Sequence, residues 1–163
     1  MVIASLALVF LNIYSASNTR ELMFQAKYAS VQDKIQVVAS SFETAETLST
    51  ETVDQVISVL GDINVSRLLI TDGEGKVLYD SSVKQNAVGQ YALLEAVVQA
   101  LGGSDVFHCA YHAGALQSFA AVPIMSRATP IGCVDVMDCD AEQGEIIENL
   151  ERNILRGSWI LLG

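Results

Sequence analysis

The sequence has few of the residues that build metal sites and disulfide frameworks. It contains three cysteines, Cys109, Cys133 and Cys139, and only two histidines. No CxxC pair is present, which argues against a zinc knuckle, and three cysteines cannot all pair within one chain. There is also no nucleophile elbow, P-loop, HExxH motif or glycine-rich dinucleotide motif. The sequence therefore predicts no catalytic constellation and no organic cofactor.

Positive charge is scarce as well. Nine Lys and Arg residues stand against nineteen Asp and Glu residues, which gives a net charge of −10. This balance argues against nucleic acid, which is bound through a basic face, and disfavours docking on anionic lipid headgroups. It is compatible with cations or cationic ligands, although a solvated acidic surface explains most of these residues equally well.

Both ends of the chain are apolar. Met1–Tyr14 is almost wholly apolar, and the chain turns apolar again at Ile154–Gly163. The first stretch is shorter than the roughly 20 residues of a complete membrane helix. Because no Lys or Arg precedes it, we favour a truncated membrane helix over the core of a signal peptide. At the far end, Trp159 suits a membrane–water interface.

These ends divide the chain into three predicted parts. Residues 1–17 are predicted to end a first transmembrane helix, residues 18–153 to form an extracytoplasmic domain, and residues 154–163 to begin a second transmembrane helix. Basic residues near both ends, such as Arg20 and Arg152, run against this orientation. The positive-inside rule weakens, however, for loops longer than about 60 residues.

A long helix is predicted after the first apolar end, since no Gly or Pro interrupts Ser15–Leu60. Its apolar residues recur at alternating spacings of three and four, which is a heptad pattern: Phe24, Tyr28, Val31, Ile35, Val38, Phe42 and Ala45. One interpretation is a homodimer formed through this helix, and the other is packing on the chain's own sheet. A break at Ser49-Thr50 starts a second helix, which Gly61 ends.

Strand patterns follow the second helix. A turn containing Asp72-Gly73 separates two apolar runs, which is typical of a hairpin. The predicted elements are strands at Arg67–Thr71 and Lys76–Asp80, a helix at Tyr91–Leu101, strands at Asp105–Tyr111, Leu116–Val122 and Ile131–Met137, and an exit helix at Glu142–Leu155. Five antiparallel strands with helices on one face give an α+β domain.

Three phrases resemble the extracytoplasmic PAS-like sensor fold, the single Cache domain. Arg67–Asp80 (RLLITDGEGKVLYD) resembles its opening hairpin, Asn86–Gly103 its next loop and helix, and Phe119–Met137 its last pair of strands. The resemblance implies a long N-terminal helix packed on a five-stranded sheet of order 2-1-5-4-3. It also implies a membrane receptor, most often a sensor histidine kinase, although chemoreceptors and cyclic-dinucleotide enzymes also carry such domains.

The cysteines and histidines are predicted to lie too far apart to pair or to share a metal. Cys109 and Cys133 fall on the third and fifth strands, two inter-strand gaps of about 4.8 Å apart, whereas a disulfide needs Cα atoms within about 7 Å. We therefore expect free, buried thiols. His108 and His112 would lie roughly 13 Å apart along one strand, which argues against a shared zinc ion.

Asp135 is the most informative polar residue. In Ile131–Met137 it is predicted to share a face with Cys133, and a carboxylate on an apolar face is costly unless it is paired. It is either a pocket acid for a cationic or hydroxyl-bearing ligand, or a residue on a solvent face near the sheet edge. By analogy with Cache pockets, the candidate co-lining residues are Tyr79, Tyr91, His108, Tyr111 and Ser118.

Seven acids and no base precede the second apolar end: Asp135, Asp138, Asp140, Glu142, Glu145, Glu148 and Glu151. Oxygen ligands suit hard divalent cations, so Asp138, Asp140 and Glu142 are candidate ligands for such a cation. The alternative is a solvated helix face whose acids complement the helix dipole.

The function predicted from these features is signal sensing by the extracytoplasmic domain of a two-component sensor histidine kinase. A small ligand or cation would shift the population between two packings of the sheet against the long helix. The kinase core is absent from this chain, so no phosphotransfer activity is expected. The alternatives are a chemoreceptor or cyclase sensor and a non-sensing, membrane-tethered structural domain.

Overall fold

A computed structural model describes residues 2–142. The elements are α1 (Val2–Ser40), α2 (Thr50–Leu60), β1 (Arg67–Asp72), β2 (Val77–Asp80), α3 (Glu95–Leu101), β3 (Val106–His112), β4 (Ala115–Ser126) and β5 (Thr129–Asp140). The predicted α+β class is confirmed. The predicted exit helix, apart from its first residue, and the second apolar end lie outside the described residues. Within residues 2–142, no helix combines the length and apolarity of a membrane span.

The five strands form one antiparallel sheet with the predicted order, β2-β1-β5-β4-β3. β5 is therefore the central strand. β4 and β5 are each longer than predicted, because only Arg127 and Ala128 separate Ser126 from its partner Thr129. Both turn residues have positive φ, 47° and 67°, as a two-residue hairpin turn requires. This turn is hard to predict from the sequence, since neither residue is Gly, Asn or Asp.

The helices differ from their predicted bounds at two ends. α1 stops at Ser40, and α3 begins at Glu95 because the backbone of Tyr91 still bridges to Lys76 beside β2. α2 begins as expected: the Ser49 hydroxyl accepts a hydrogen bond from the backbone N–H of Thr52 at 3.2 Å, which caps the first turn.

The apolar stripe of α1 packs on the chain's own sheet. Val31, Ile35 and Val38 are each at most 1% exposed and share one cluster with Val134 and Val136 of β5. The intramolecular interpretation of the heptad pattern is thereby confirmed for these residues. A homodimer through the rest of α1 stays a prediction.

Helices cover both faces of the sheet, not one face as predicted. α1 and α2 cover the face that carries Val134 and Val136. α3 packs on the other face, where its Val97 and Ala100 contact Ala121 of β4 and Cys133 of β5. We call these the α1 face and the α3 face. α3 has only seven residues, so it covers just part of its face.

Truncation of the α1 stripe tests this packing. Ile35→Ala is expected to lower the free energy of unfolding by about 2–5 kcal/mol, because the cavity under α1 cannot fully collapse. Val37→Ala is the matched control: Val37 lies on the same helix but is 56% exposed, so its loss should change stability by at most about 0.5 kcal/mol. Urea unfolding of both variants measures the difference, and equal effects would contradict the packing.

Candidate functional site

Asp135 lies on the α3 face at the centre of the sheet. Side chains alternate between the two faces of a strand, so Asp135 points to the same side as Cys133 and away from Val134 and Val136. Its neighbours across the sheet are Leu69 of β1 and Ala121 of β4. The prediction that Asp135 shares a face with Cys133 is confirmed. Alternation along β5 would put Ile131 on this face too, but Ile131 packs against the cluster on the α1 face.

The Asp135 side chain is nearly buried, and its carboxylate keeps slight contact with solvent but accepts no hydrogen bond from the described residues. The residue is 8% exposed, which rules out the interpretation of a solvent-facing acid near the sheet edge. Burial raises the pKa of Asp135 to about 6, even though the positive charge of Arg67 acts to lower it. A carboxyl group with a raised pKa on a concealed face is typical of functional sites.

A second polar group on this face also lacks a partner. Thr71 is opposite Cys133 in the sheet, and its hydroxyl is buried with no hydrogen bond. Thr71 and Asp135 are diagonal neighbours, whose Cβ atoms typically lie about 7 Å apart. Buried polar groups are normally satisfied. The unsatisfied Thr71 hydroxyl beside the nearly buried Asp135 carboxylate therefore marks this part of the α3 face as a place where a polar ligand can bind.

The guanidinium whose charge acts on Asp135 is that of Arg67, and it is already bonded to other groups. Arg67 donates from Nε and Nη2 to the two carboxylate oxygens of Asp80, at 3.1 and 2.7 Å, and from Nη2 to the carbonyl of Gln85 at 2.9 Å. The backbone N–H groups of Ser82 and Ala87 also donate to Asp80. Burial raises the pKa of Asp80, but these hydrogen bonds and the Arg67 charge outweigh it and lower the pKa overall.

This pair fixes the loop between β2 and α3 beside the α3 face. Sequence reasoning missed it, although a signal exists: Arg67 opens the first strand of the hairpin and Asp80 closes the second. In the register of this hairpin Asp80 is opposite Leu69, so Arg67 is its diagonal neighbour on the same face, within reach of a long side chain.

The six predicted ligand residues do not line one pocket. His108 shares the α3 face but is exposed and lies two strands away from Asp135, about 10 Å across the sheet. Tyr91 lies outside the strands and is 57% exposed. By strand alternation, the other three point to the α1 face: Tyr79, Tyr111 and Ser118. Whether any of the six binds a ligand stays a prediction.

Tyr79 instead lines a small pocket of about 110 Å³ between the end of α2 and the hairpin. Burial raises the pKa of Tyr79, with Asp54 and Asp80 adding to the effect. The Ser118 hydroxyl donates to the backbone carbonyl of Asp138 at 3.3 Å. These contacts tie Tyr79 and Ser118 to the packing of the sheet on α1 and α2.

The predicted cation ligands have a lysine among them. Lys27 of α1 places its Nζ 2.6 Å from Asp138 and 3.5 Å from Asp140. Burial raises the pKa of Asp138, but the hydrogen bond and charge of Lys27, with smaller effects of Lys34 and Ser66, bring it below its ordinary value. Within residues 2–142, no three His, Cys, Asp or Glu side chains are grouped to hold a metal ion. A cation site that includes Glu142 stays a prediction.

Sequence reasoning also missed Lys27 as a partner of these acids. The signal lies in its spacing: Lys27 precedes Val31 by four residues and therefore lies on the buried face of α1.

The three thiols are free, as predicted. Cys133 is fully buried, and burial raises its pKa, as does the nearby Asp135. Cys109 is only half-buried, and Cys139 is exposed. Buried thiols were predicted for Cys109 and Cys133. The prediction is confirmed for Cys133 and wrong for Cys109, which lies on the edge strand β3.

No protein-family model matches this chain, and no curated protein matches it. Solved structures do. The chain is similar to an extracellular ligand binding receptor from Desulfohalobium retbaense, with 12% identity and a TM-score of 0.59 over 83% of this chain and 26% of that one. It is also similar to the sensor domain of the histidine kinase DctB from V. cholerae, with 15% identity and a TM-score of 0.52 over 80% of this chain and 57% of that one.

A third similar structure is the ligand binding domain of the Pseudomonas aeruginosa amino acid chemoreceptor PctC in complex with GABA. It has 10% identity and a TM-score of 0.58, over 88% of this chain and 64% of that one. The chain therefore spans less than two thirds of each of these structures. At such identities the similarity establishes the fold. The chain has the PAS-like fold of extracellular sensor domains, as the resemblance in its sequence implied.

The pH dependence of stability tests the state of Asp135. Its folded-state pKa of about 6 lies above the ordinary value of 3.8, so its stabilising contribution is complete below about pH 4 and is lost as pH rises through 6. This difference corresponds to about 3 kcal/mol. Asp135→Asn is therefore expected to raise the free energy of unfolding at pH 7.5 but not at pH 4. Urea unfolding of both proteins across this range measures the change, and parallel pH profiles would contradict it.

Proposed function

We propose that this chain is the extracytoplasmic sensing domain of a membrane receptor and binds a small ligand on the α3 face. The observation that carries the proposal is the nearly buried Asp135 carboxylate, which has no hydrogen-bonding partner among the described residues, on a partly covered sheet face. The fold shared with extracellular sensor domains supports it. The parent protein that we favour is a two-component sensor histidine kinase, with a chemoreceptor as the alternative.

The chemistry of the α3 face indicates which ligand groups would bind. The Asp135 carboxylate accepts hydrogen bonds and offers a negative charge, and the neighbouring Thr71 hydroxyl can donate or accept. Arg67 uses three of its five N–H donors on Asp80 and Gln85, so its positive charge is already paired with a carboxylate. The ligand we propose therefore presents an ammonium or hydroxyl donor to Asp135.

The ligand would also relieve an energetic cost. An ionised carboxylate buried without a partner destabilises the fold, and an ammonium group in contact with it restores the missing interaction. Residues that bind ligands commonly reduce the stability of the ligand-free protein. Asp135 would thus serve binding and not stability. Its replacement should stabilise the ligand-free domain and abolish the response to ligand.

Thermal unfolding of the full chain in mild detergent tests the proposal. The probes are a panel of small primary amines, polyols and carboxylates at millimolar concentration and pH 7.5. A ligand present at 100 times its Kd adds about 2.7 kcal/mol, which is readily seen as a rise in Tm. We expect at least one amine or polyol to raise the Tm of the wild-type chain, and no carboxylate without an amine to do so.

Two variants give the test its specificity. Asp135→Asn should remove the rise in Tm, because the amide keeps the shape of the side chain but not its charge. Asp105→Asn is the matched control, since Asp105 is an exposed acid next to β3, and it should respond like the wild-type chain. A rise that persists in Asp135→Asn would place the ligand elsewhere, and no rise with any probe would favour the structural, non-sensing role.

The membrane attachment, the homodimer and the identity of the parent protein belong to the same proposal. Residues 1–17 and 154–163 would join the domain to membrane helices, and the outer side of α1 would contact a second copy. Exposed apolar residues of α1, among them Leu22 and Val37, are available for such a contact. The coding sequence downstream of Gly163 distinguishes a kinase from a chemoreceptor directly.

A further inference from the structure

Arg67 lies between two carboxylates on the α3 face. In the register of the sheet, Leu69 of β1 is opposite Asp80 on one side and opposite Asp135 on the other. Arg67 precedes Leu69 by two residues, so it shares the face of Leu69 and is a diagonal neighbour of both acids. Diagonal neighbours have Cβ atoms about 7 Å apart, within reach of a long side chain. Either acid could therefore accept hydrogen bonds from this guanidinium.

In the structure the guanidinium is bonded to Asp80. Its Nε and Nη2 donate to the two oxygens of Asp80 at 3.1 and 2.7 Å, which is the bidentate geometry that makes such pairs strong. The Asp80 side chain is completely buried, whereas that of Arg67 is 23% exposed. Asp135, on the other side of Arg67, accepts no hydrogen bond from the described residues. The pairing with Asp80 thus leaves Asp135 without a cationic partner.

Asp80 is held in turn by the loop that follows β2. The backbone N–H groups of Ser82 and Ala87 donate to its two oxygens at 2.9 and 2.8 Å, and Arg67 Nη2 donates to the carbonyl of Gln85 at 2.9 Å. Each oxygen of Asp80 therefore accepts two hydrogen bonds. Because a carboxylate has about four acceptor positions, Asp80 has none left for a ligand and can act on the site only through Arg67 and the loop.

The charges of these groups act on one another across β1. The hydrogen bond to Asp80 raises the pKa of Arg67, burial acts against the rise, and the charges of Asp80 and then of Asp135 add to it. Burial raises the pKa of Asp135 to about 6, and the charge of Arg67 opposes this effect without cancelling it. Asp135 is therefore close enough to interact with Arg67 but is not neutralised by it.

We propose that Asp80 determines the specificity of the ligand site: it binds the Arg67 guanidinium and thereby keeps the Asp135 carboxylate open to a cationic ligand. This role rests on the proposed function, since it concerns the same site. Asp80 is a positioning residue, because it acts through Arg67. Without the charge of Asp80, Arg67 would pair with Asp135, and the site would lose its preference for an ammonium group.

The first test needs no ligand. It compares the pH at which the Asp135 carboxyl carbon titrates by NMR in variants of the full chain in mild detergent. Asp80→Asn keeps the shape of the side chain but removes its charge, so Arg67 should turn to Asp135. We expect the titration midpoint to fall by about one unit or more, the usual effect of an adjacent Arg on an Asp.

A double variant separates positioning from a purely structural role. In Asp80→Asn combined with Arg67→Met the cation is absent as well, so the Asp135 midpoint should return to the wild-type value or lie slightly above it. Both variants weaken the anchor of the loop, so a general loss of structure would not be reversed in the double variant. An unchanged midpoint in Asp80→Asn, or a lowered midpoint that persists without Arg67, would overturn the proposal.

Glu46→Gln is the matched control. It breaks another pair between Arg and a carboxylate, since Arg127 Nη2 lies 2.6 Å from Glu46, but both of these side chains are exposed. Its Asp135 midpoint should equal that of the wild-type chain. If Asp80→Asn does not fold, the double variant still tests the proposal. A midpoint more than about one unit above the wild-type value would mean that Arg67 already neutralises Asp135, and would overturn it.

Binding gives an independent readout. A primary amine that raises the Tm of the wild-type chain at pH 7.5 should not raise that of Asp80→Asn, and should do so again in the double variant. A response that persists in Asp80→Asn would overturn the specificity role and leave the binding site at Asp135 intact. The expected midpoints without a response to any amine would refute the proposed ligand and not the control of Arg67 by Asp80.

Discussion

The packing of α1 on one face of the sheet is the constraint on which the rest of the structure depends. Val31, Ile35 and Val38 bury that face completely, and α2 extends the cover toward the hairpin. The α3 face carries only a seven-residue helix, so it is less completely covered. The packing of α1 also brings Lys27 to the end of β5, where it pairs with Asp138.

The α3 face differs from the apolar α1 face, because it carries polar groups that lower the stability of the fold. Asp135 occupies the centre of the central strand, where an apolar residue would pack more favourably. Thr71 beside it also has no hydrogen-bonding partner. Arg67, whose charge acts on Asp135, is held by Asp80 and by the loop it anchors. A face built in this way favours ligands that bring their own hydrogen-bond donors or positive charge.

Much of the fold could be predicted from sequence, because hairpin turns and alternation depend on nearby residues. Asp135 was identified because an acid interrupts an apolar strand. Its proposed companions were chosen by analogy and without strand alternation, which puts Tyr79 on the α1 face. The Lys27–Asp138 contact joins residues 111 positions apart, and no local pattern specifies such a pair. The hairpin at Arg127 lacked the usual turn residues, so β4 and β5 were predicted too short.

The central claim is that the Asp135 carboxylate is nearly buried in the free domain and has no hydrogen-bonding partner among the described residues. The most direct test is a pH titration of its carboxyl carbon by NMR in the full chain, with Asp135→Asn used to assign the signal. The account predicts a midpoint near pH 6, which falls when an amine binds because a positive charge stabilises the carboxylate. A midpoint near the ordinary value of about 4 would mean that Asp135 is solvated or paired, and the proposed ligand site would be withdrawn.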